Sequence, residues 1–277
     1  MESRRKVLIF LLAYVRESLA RCSELSGWKP PLLKFFPECS HSYLWMVARG
    51  IELKSVIPSA ECLEKLGNIL SQTPGYESYR PNRFPADSWE WNLRFCISDS
   101  LEKLGFLYFA RDQIKNIENS RPRWEPISVI SVKYHIYNFI FDCKAFLDAL
   151  GSLLNYHFNL GLSKGDIDFN KSKFRQILAS KNMELSKAIE EHLKWIKELS
   201  DWRIKLIHRQ GILVFGCHDE NGYSIPKKPL RYTEYYTAQE KGSYYCVDLC
   251  QKYIEHAQEI FDASCKAIVK TLRKHHR

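Results

Sequence analysis

The stretch from Ile127 to Phe158 constrains this chain more than any other, because its roughly 30 residues carry only Lys133, Asp142, Lys144 and Asp148 as charges. A helix so long and so poor in charge cannot face water around its whole circumference, so other elements must cover most of it. Helix-compatible periods dominate the flanking sequence, with no repeat at solenoid spacing and no Gly/Ser linker. The expected fold class is all-α: a helical bundle built on this segment, with an N-terminal helical extension and a small β-hairpin insertion.

Upstream, residues 4–25 are predicted to form a helix, Trp28–Pro37 a proline-broken connection, and residues 59–71 a helix with Ser59 as its N-cap. Pro74, Gly75, Pro81 and Pro85 mark a loop, after which Asp87 or Ser88 caps a long helix to about Glu118. The break from Arg121-Pro122 to Glu125-Pro126 is the expected boundary between an N-terminal region, residues 1–120, and a C-terminal bundle, residues 121–277. Downstream, a loop through Gly161, Gly165 and Asp168 leads to residues 170–179, then to one helix from Met183 to about His208, for which Gly211 is a plausible stop. Ile212–Phe215 and Tyr223–Ile225 flank Asn221-Gly222, a turn pair that predicts the hairpin, and residues 244–274 form the final helix.

Composition narrows the function classes. With 277 residues, 45% hydrophobic and 26% charged, the chain can bury a sizeable core without staples. Its net charge of +9 favours anionic partners, and the excess is uneven: 16 basic against 14 acidic side chains in residues 1–120, but 25 against 18 in residues 121–277. Nine cysteines without a Cys-x-x-Cys pair fit a reduced, cytoplasmic protein. Arg4, Arg5 and Lys6 before the apolar run Val7–Val15 follow the order of an export signal, but Arg16, Glu17 and Arg21 crowd the place of a cleavage site. No run is long enough for a membrane span. The absence of a Gly-rich phosphate loop, a nucleophile elbow and a His-Glu-x-x-His motif gives no support to ATP-dependent, serine-hydrolase or zincin chemistry. Cys217, His218, Cys246 and Cys250 could ligate zinc, but buried packing is the better reading of these cysteines, and neither a metal nor a cofactor is expected.

The segment Leu185–Ile207 carries the functional argument. On a wheel of about 100° per residue, Leu185, Ile189, Leu193, Leu199 and Ile207 all lie within about 60° of Ile196, and Arg203 falls in the middle of that stripe. A guanidinium there needs a carboxylate, a polar cleft or a bound anion. Five positions later stands His208, whose imidazole titrates near neutrality and is a natural general acid or base.

Arg203, four intervening residues and His208 resemble the hallmark of the HEPN superfamily, helical bundles with an Arg and a His near the end of a core helix. The segments 142–148 and 154–158 and the loop Asp166-Ile167-Asp168-Phe169 are similar to one prokaryotic subgroup. The resemblance spans roughly residues 127–275. It implies a homodimeric, metal-independent endoribonuclease of a toxin or antiviral defence kind, restrained in some cases by an antitoxin or regulatory protein. In it His208 would activate the ribose 2′-hydroxyl or protonate the leaving oxygen, and Arg203 would hold the scissile phosphate, with Lys205 and Arg209 as RNA-binding cations.

Other readings stay open. Arg203 could form a supporting ion pair with Asp142 or Asp148, and His208 could cap the helix C-terminus. The position after the arginine is the apolar Ile204, and five residues of straight helix put about 140° between Arg203 and His208, so convergence requires the helix to end or loosen near Ile207. The alternative function is a non-catalytic HEPN-like binding or interaction module.

Overall fold

A computed structural model describes residues 89–120, 125–207, 215–216, 222–227 and 242–275. The expected helices over 4–25 and 59–71, the connections around them and the export-like run lie outside the described residues. Six helices are described: α1 (Trp89–Ser120), α2 (Pro126–His157), α3 (Ser172–Lys181), α4 (Met183–Glu190), α5 (Leu193–Ile207) and α6 (Cys246–His275). Three short strands, β1 (Phe215–Gly216), β2 (Tyr223–Pro226) and β3 (Ser243–Tyr245), form an antiparallel sheet in the order β1-β2-β3. The fold is all-α with a small sheet, and no described helix is long and apolar enough to cross a membrane.

Helix α2 is the expected charge-poor helix, and it buries thirteen residues, among them Val132, Ile136, Phe139, Cys143, Phe146, Leu150 and Leu154. Pro126 at its start replaces an N–H that would have no intrahelical acceptor, so the proline costs nothing there. Helix α1 packs along it in antiparallel fashion: Phe109 meets His135, whereas Lys103, earlier in α1, faces Asp142, later in α2. The expected boundary at 120/121 therefore falls between two paired helices, and Ile97, Leu104, Leu107 and Ile114 of α1 belong to the same continuous core as α2 and α6. Helix α6 closes this core with Leu249, Tyr253, Ile254, Phe261, Cys265 and Ile268, and inside it the Gln258 amide donates to the Tyr108 hydroxyl of α1.

The loop after α2 is pinned by polar side chains. Leu162 N–H donates to Asn155 Oδ1 at 3.1 Å, Lys144 reaches Asp168 at 3.4 Å, and Lys173 reaches Asp166 at 2.8 Å. Asn155, Asp166 and Asp168, which carry part of the family resemblance, thus have architectural roles here. Gly151 lets the loop approach: a Cβ on it would stand 2.9 Å from Ile167 Cγ2.

Two segmentations differ from expectation. The single helix over 183–208 is two, because α4 packs on α6 while α5 packs on α2, and one straight rod cannot serve both. The side chain of Asn182 caps α4 by accepting the Leu185 N–H at 3.0 Å, and the chain turns at Glu191 and His192 before α5 begins. At the other end, Ser243–Tyr245 pair with Ser224–Pro226 as a third strand, so α6 begins at Cys246 rather than 244. Aromatic Tyr244 and Tyr245 suit a pleated edge better than a first helical turn. The expected hairpin is present as β1 and β2, with Gly222 at φ 99°. Asn221 lies outside the described residues.

The Gly151 contact yields a prediction. Gly151→Val should overpack the α2–loop junction and cost about 1–3 kcal/mol of stability in urea denaturation. A variant as stable as wild type would show that the loop does not press on α2 there.

Candidate functional site

Helix α5 positions Arg203. Its buried residues are Trp195, Ile196, Leu199 and Trp202, which centre the covered face at about −70° from Ile196 on the same wheel. Arg203, at about −20°, lies on the shoulder of that face rather than in its middle, and it is half-buried. Ile207 and Ile204, farther round, are 50% and 51% exposed. The expected apolar stripe is rotated because Leu185 and Ile189 belong to α4 and do not share a phase with α5. Trp195 and Trp202, seven residues apart, are the signal in the sequence that marks the true buried face.

The candidate supporting carboxylates go elsewhere. Asp148 pairs with Lys144, and Asp142 sits against α1, where burial pushes its carboxyl up to about 6 despite the opposing charge of Lys103. Among the described residues, Arg203 has no ion-pair or hydrogen-bond partner. Lys205 is half-buried on the same helix and is partnered. His208 and Arg209 lie outside the described residues, as do Cys217 and His218 of the weighed zinc set. Cys246 and Cys250 are buried in the core, and burial pushes the Cys250 thiol well above its ordinary range.

The sequence reading did not register a second cluster at the α4–α5 corner. The Nδ1 atoms of His192 and His256 lie 3.1 Å apart, and Glu259 Oε2 is 3.7 Å from His192 Nε2 and 3.8 Å from His256 Nδ1. Trp195 stacks on His256 with ring centroids 5.4 Å apart and also packs edge-on against Tyr253. Burial and the neighbouring His192 hold the His256 imidazole below its ordinary pKa, and the Glu259 carboxylate opposes them. The spacing His256-x-x-Glu259, two polar groups on one helical face, was the available signal; nothing in the local sequence brings His192 to it.

No protein family, no curated protein and no solved structure matches this chain. Function therefore rests on the residues and their arrangement.

Asp142 supplies a test of the local electrostatics. Its folded-state pKa of about 6 lies above the ordinary 3.8, so the folded chain binds the proton more tightly and loses stability as pH rises from about 4 through about 6. Asp142→Asn should match wild type near pH 4 and exceed it near pH 7.5 by on the order of 1 kcal/mol, a figure reduced by solvent screening on the carboxyl's open side. Parallel pH–stability curves for the two proteins would refute the desolvated carboxyl.

Proposed function

We propose that the C-terminal helical unit acts on RNA as a metal-independent endoribonuclease, with Arg203 and His208 as the catalytic pair and two copies of the chain forming the active unit. The observation that carries this reading is the state of Arg203: half-buried at the C-terminal end of α5 with no carboxylate partner among the described residues, a placement that suits a guanidinium for holding an anion. A structural ion pair to Asp142 or Asp148 was the main competing role, but Asp148 pairs with Lys144 and Asp142 sits against α1, where burial disfavours its charged form.

In the proposed reaction His208 takes the proton of the ribose 2′-hydroxyl, or gives one to the leaving oxygen. The 2′-oxygen attacks phosphorus, the bond from phosphorus to the 5′-oxygen breaks, and Arg203 holds the charge that develops on the phosphate. The products are a 2′,3′-cyclic phosphate and a 5′-hydroxyl. Lys205 and Arg209 would contact the flanking backbone. A toxin or antiviral role, with an antitoxin or other restraining partner, follows from the same resemblance.

The second reading is a non-catalytic interaction module, and the exposed Ile204 and Ile207 favour it, because they set an apolar surface beside Arg203 that suits a protein partner.

Incubation of purified protein with total RNA and with tRNA in EDTA separates the two. Wild type should cleave and leave cyclic phosphates, His208→Ala should be inactive with its fold intact, and Arg203→Ala should lose at least about a hundredfold with little change in stability, since no buried carboxylate is orphaned. Equal silence from folded wild type and His208→Ala would favour the module.

A further inference from the structure

We propose that His192, His256 and Glu259 form a binding site for one divalent transition-metal ion of the zinc class, at the corner between α4 and α5 and distinct from the Arg203 end of α5. Two imidazoles and a carboxylate are a donor set of borderline softness, which suits zinc, cobalt or nickel better than magnesium or calcium. Around a tetrahedral ion with bonds of about 2.0–2.1 Å, donor atoms stand about 3.3 Å apart. The 3.1 Å contact runs from His192 Nδ1 and the 3.7 Å contact from its Nε2; taken as one donor atom per residue, the three groups lie within 4.8 Å of one another, and side-chain rotation draws them onto one centre.

The corner is built to hold these groups. His192 N–H donates to Ile189 O at 3.0 Å and its carbonyl accepts from Ile196 N–H at 3.0 Å, so the residue closes one helix and opens the next between two buried isoleucines. Its side chain is only 11% exposed. His256 is held from behind by the stacked Trp195, while Glu259 is 63% exposed and closes the site from the solvent side.

Among the described residues the ligand set stops at three, and beyond it lies an open cavity lined by charges of both signs. His192 and Glu259 line a cavity of about 480 Å³ together with Glu184, Glu191 and Asp262 and the opposing Lys266 and Lys270. Asp262, whose Oδ2 pairs with Lys266, keeps its Oδ1 buried without a hydrogen-bond partner on this wall. Three protein ligands facing such a cavity leave a coordination position for water or an anionic ligand, the pattern of a reactive rather than a purely structural ion. A hydrogen bond between the two histidines, with one neutral ring donating to the other, is the metal-free alternative.

Chelator-stripped full-length protein titrated with Co(II), followed by its visible absorption, and with Zn(II) by calorimetry, discriminates between them. The metal site predicts one tight equivalent and visible bands of a four- or five-coordinate ion. Affinity should fall at least about tenfold in His256→Ala and in Glu259→Gln. The exposed position of Glu259 leaves the fold of the second variant intact, as circular dichroism would confirm. A His275→Ala, His276→Ala double variant controls for the C-terminal histidines and should bind as wild type. Binding that is lost in that double variant but unchanged in the other two, or no stoichiometric binding at all, overturns the proposal and leaves the hydrogen-bonded pair. Because ribonuclease activity is scored in EDTA, loss of either property is readable without the other.

Discussion

Covering α2 is the demand that organises the molecule. Thirteen of its residues are buried, and an amphipathic partner on one side alone could not bury them. Helix α1 returns along it, α6 closes the core against both, and α5 takes a further part of its circumference. Two buried polar groups find partners in this arrangement, Gln258 on the Tyr108 hydroxyl across helices and Ser264 on the Ile260 carbonyl within a turn. Arg111 bridges the rim, donating to Gln251 of α6 at 2.6 Å while paired with Asp112.

That demand explains the corner at His192. Helix α5 packs on α2 and buries Trp195, Leu199 and Trp202, whereas Leu185 and Ile189 of α4 are buried and the Glu184–Lys270 pair at 2.6 Å ties α4 to α6. The chain must change direction between the two sets, and the turn carries His192 toward the face of α6 that presents His256 and Glu259. Eleven residues of helical rise, about 16 Å, then separate His192 from Arg203. One helix therefore joins two chemically different ends.

What was legible in the sequence follows the strength of the hydrophobic signal. Pro126–His157 could be read within a residue or two because charge is nearly absent from it and a proline opens it. The α4–α5 break could not, since Glu190-Glu191-His192 contains neither proline nor glycine and the turn is imposed by packing on two different helices. Carrying one wheel across that break placed Arg203 at the centre of a buried stripe, whereas the phase set by Trp195 and Trp202 puts it at the edge. The His192 cluster was hidden for a related reason: its members are 64 residues apart, and only the tertiary fold brings them to 3.1 Å. The third strand was missed because two tyrosines preceding a helical pattern do not declare their pairing partner, Ser224-Ile225.

The edge position of Arg203 matters for the proposed chemistry. A guanidinium at the centre of the buried face would have needed a carboxylate, and such a partner would compete with a phosphate for the same donors. On the shoulder it keeps enough water to stand at small cost without a partner among the described residues, but its field is then weakened by the high dielectric of the solvent. Closing a second copy over Ile204 and Ile207, which are half-exposed beside it, would remove that water only in the assembled state. On the dimeric reading these apolar residues thus strengthen the hold of Arg203 on a phosphate, and activity becomes tied to assembly rather than to the isolated chain.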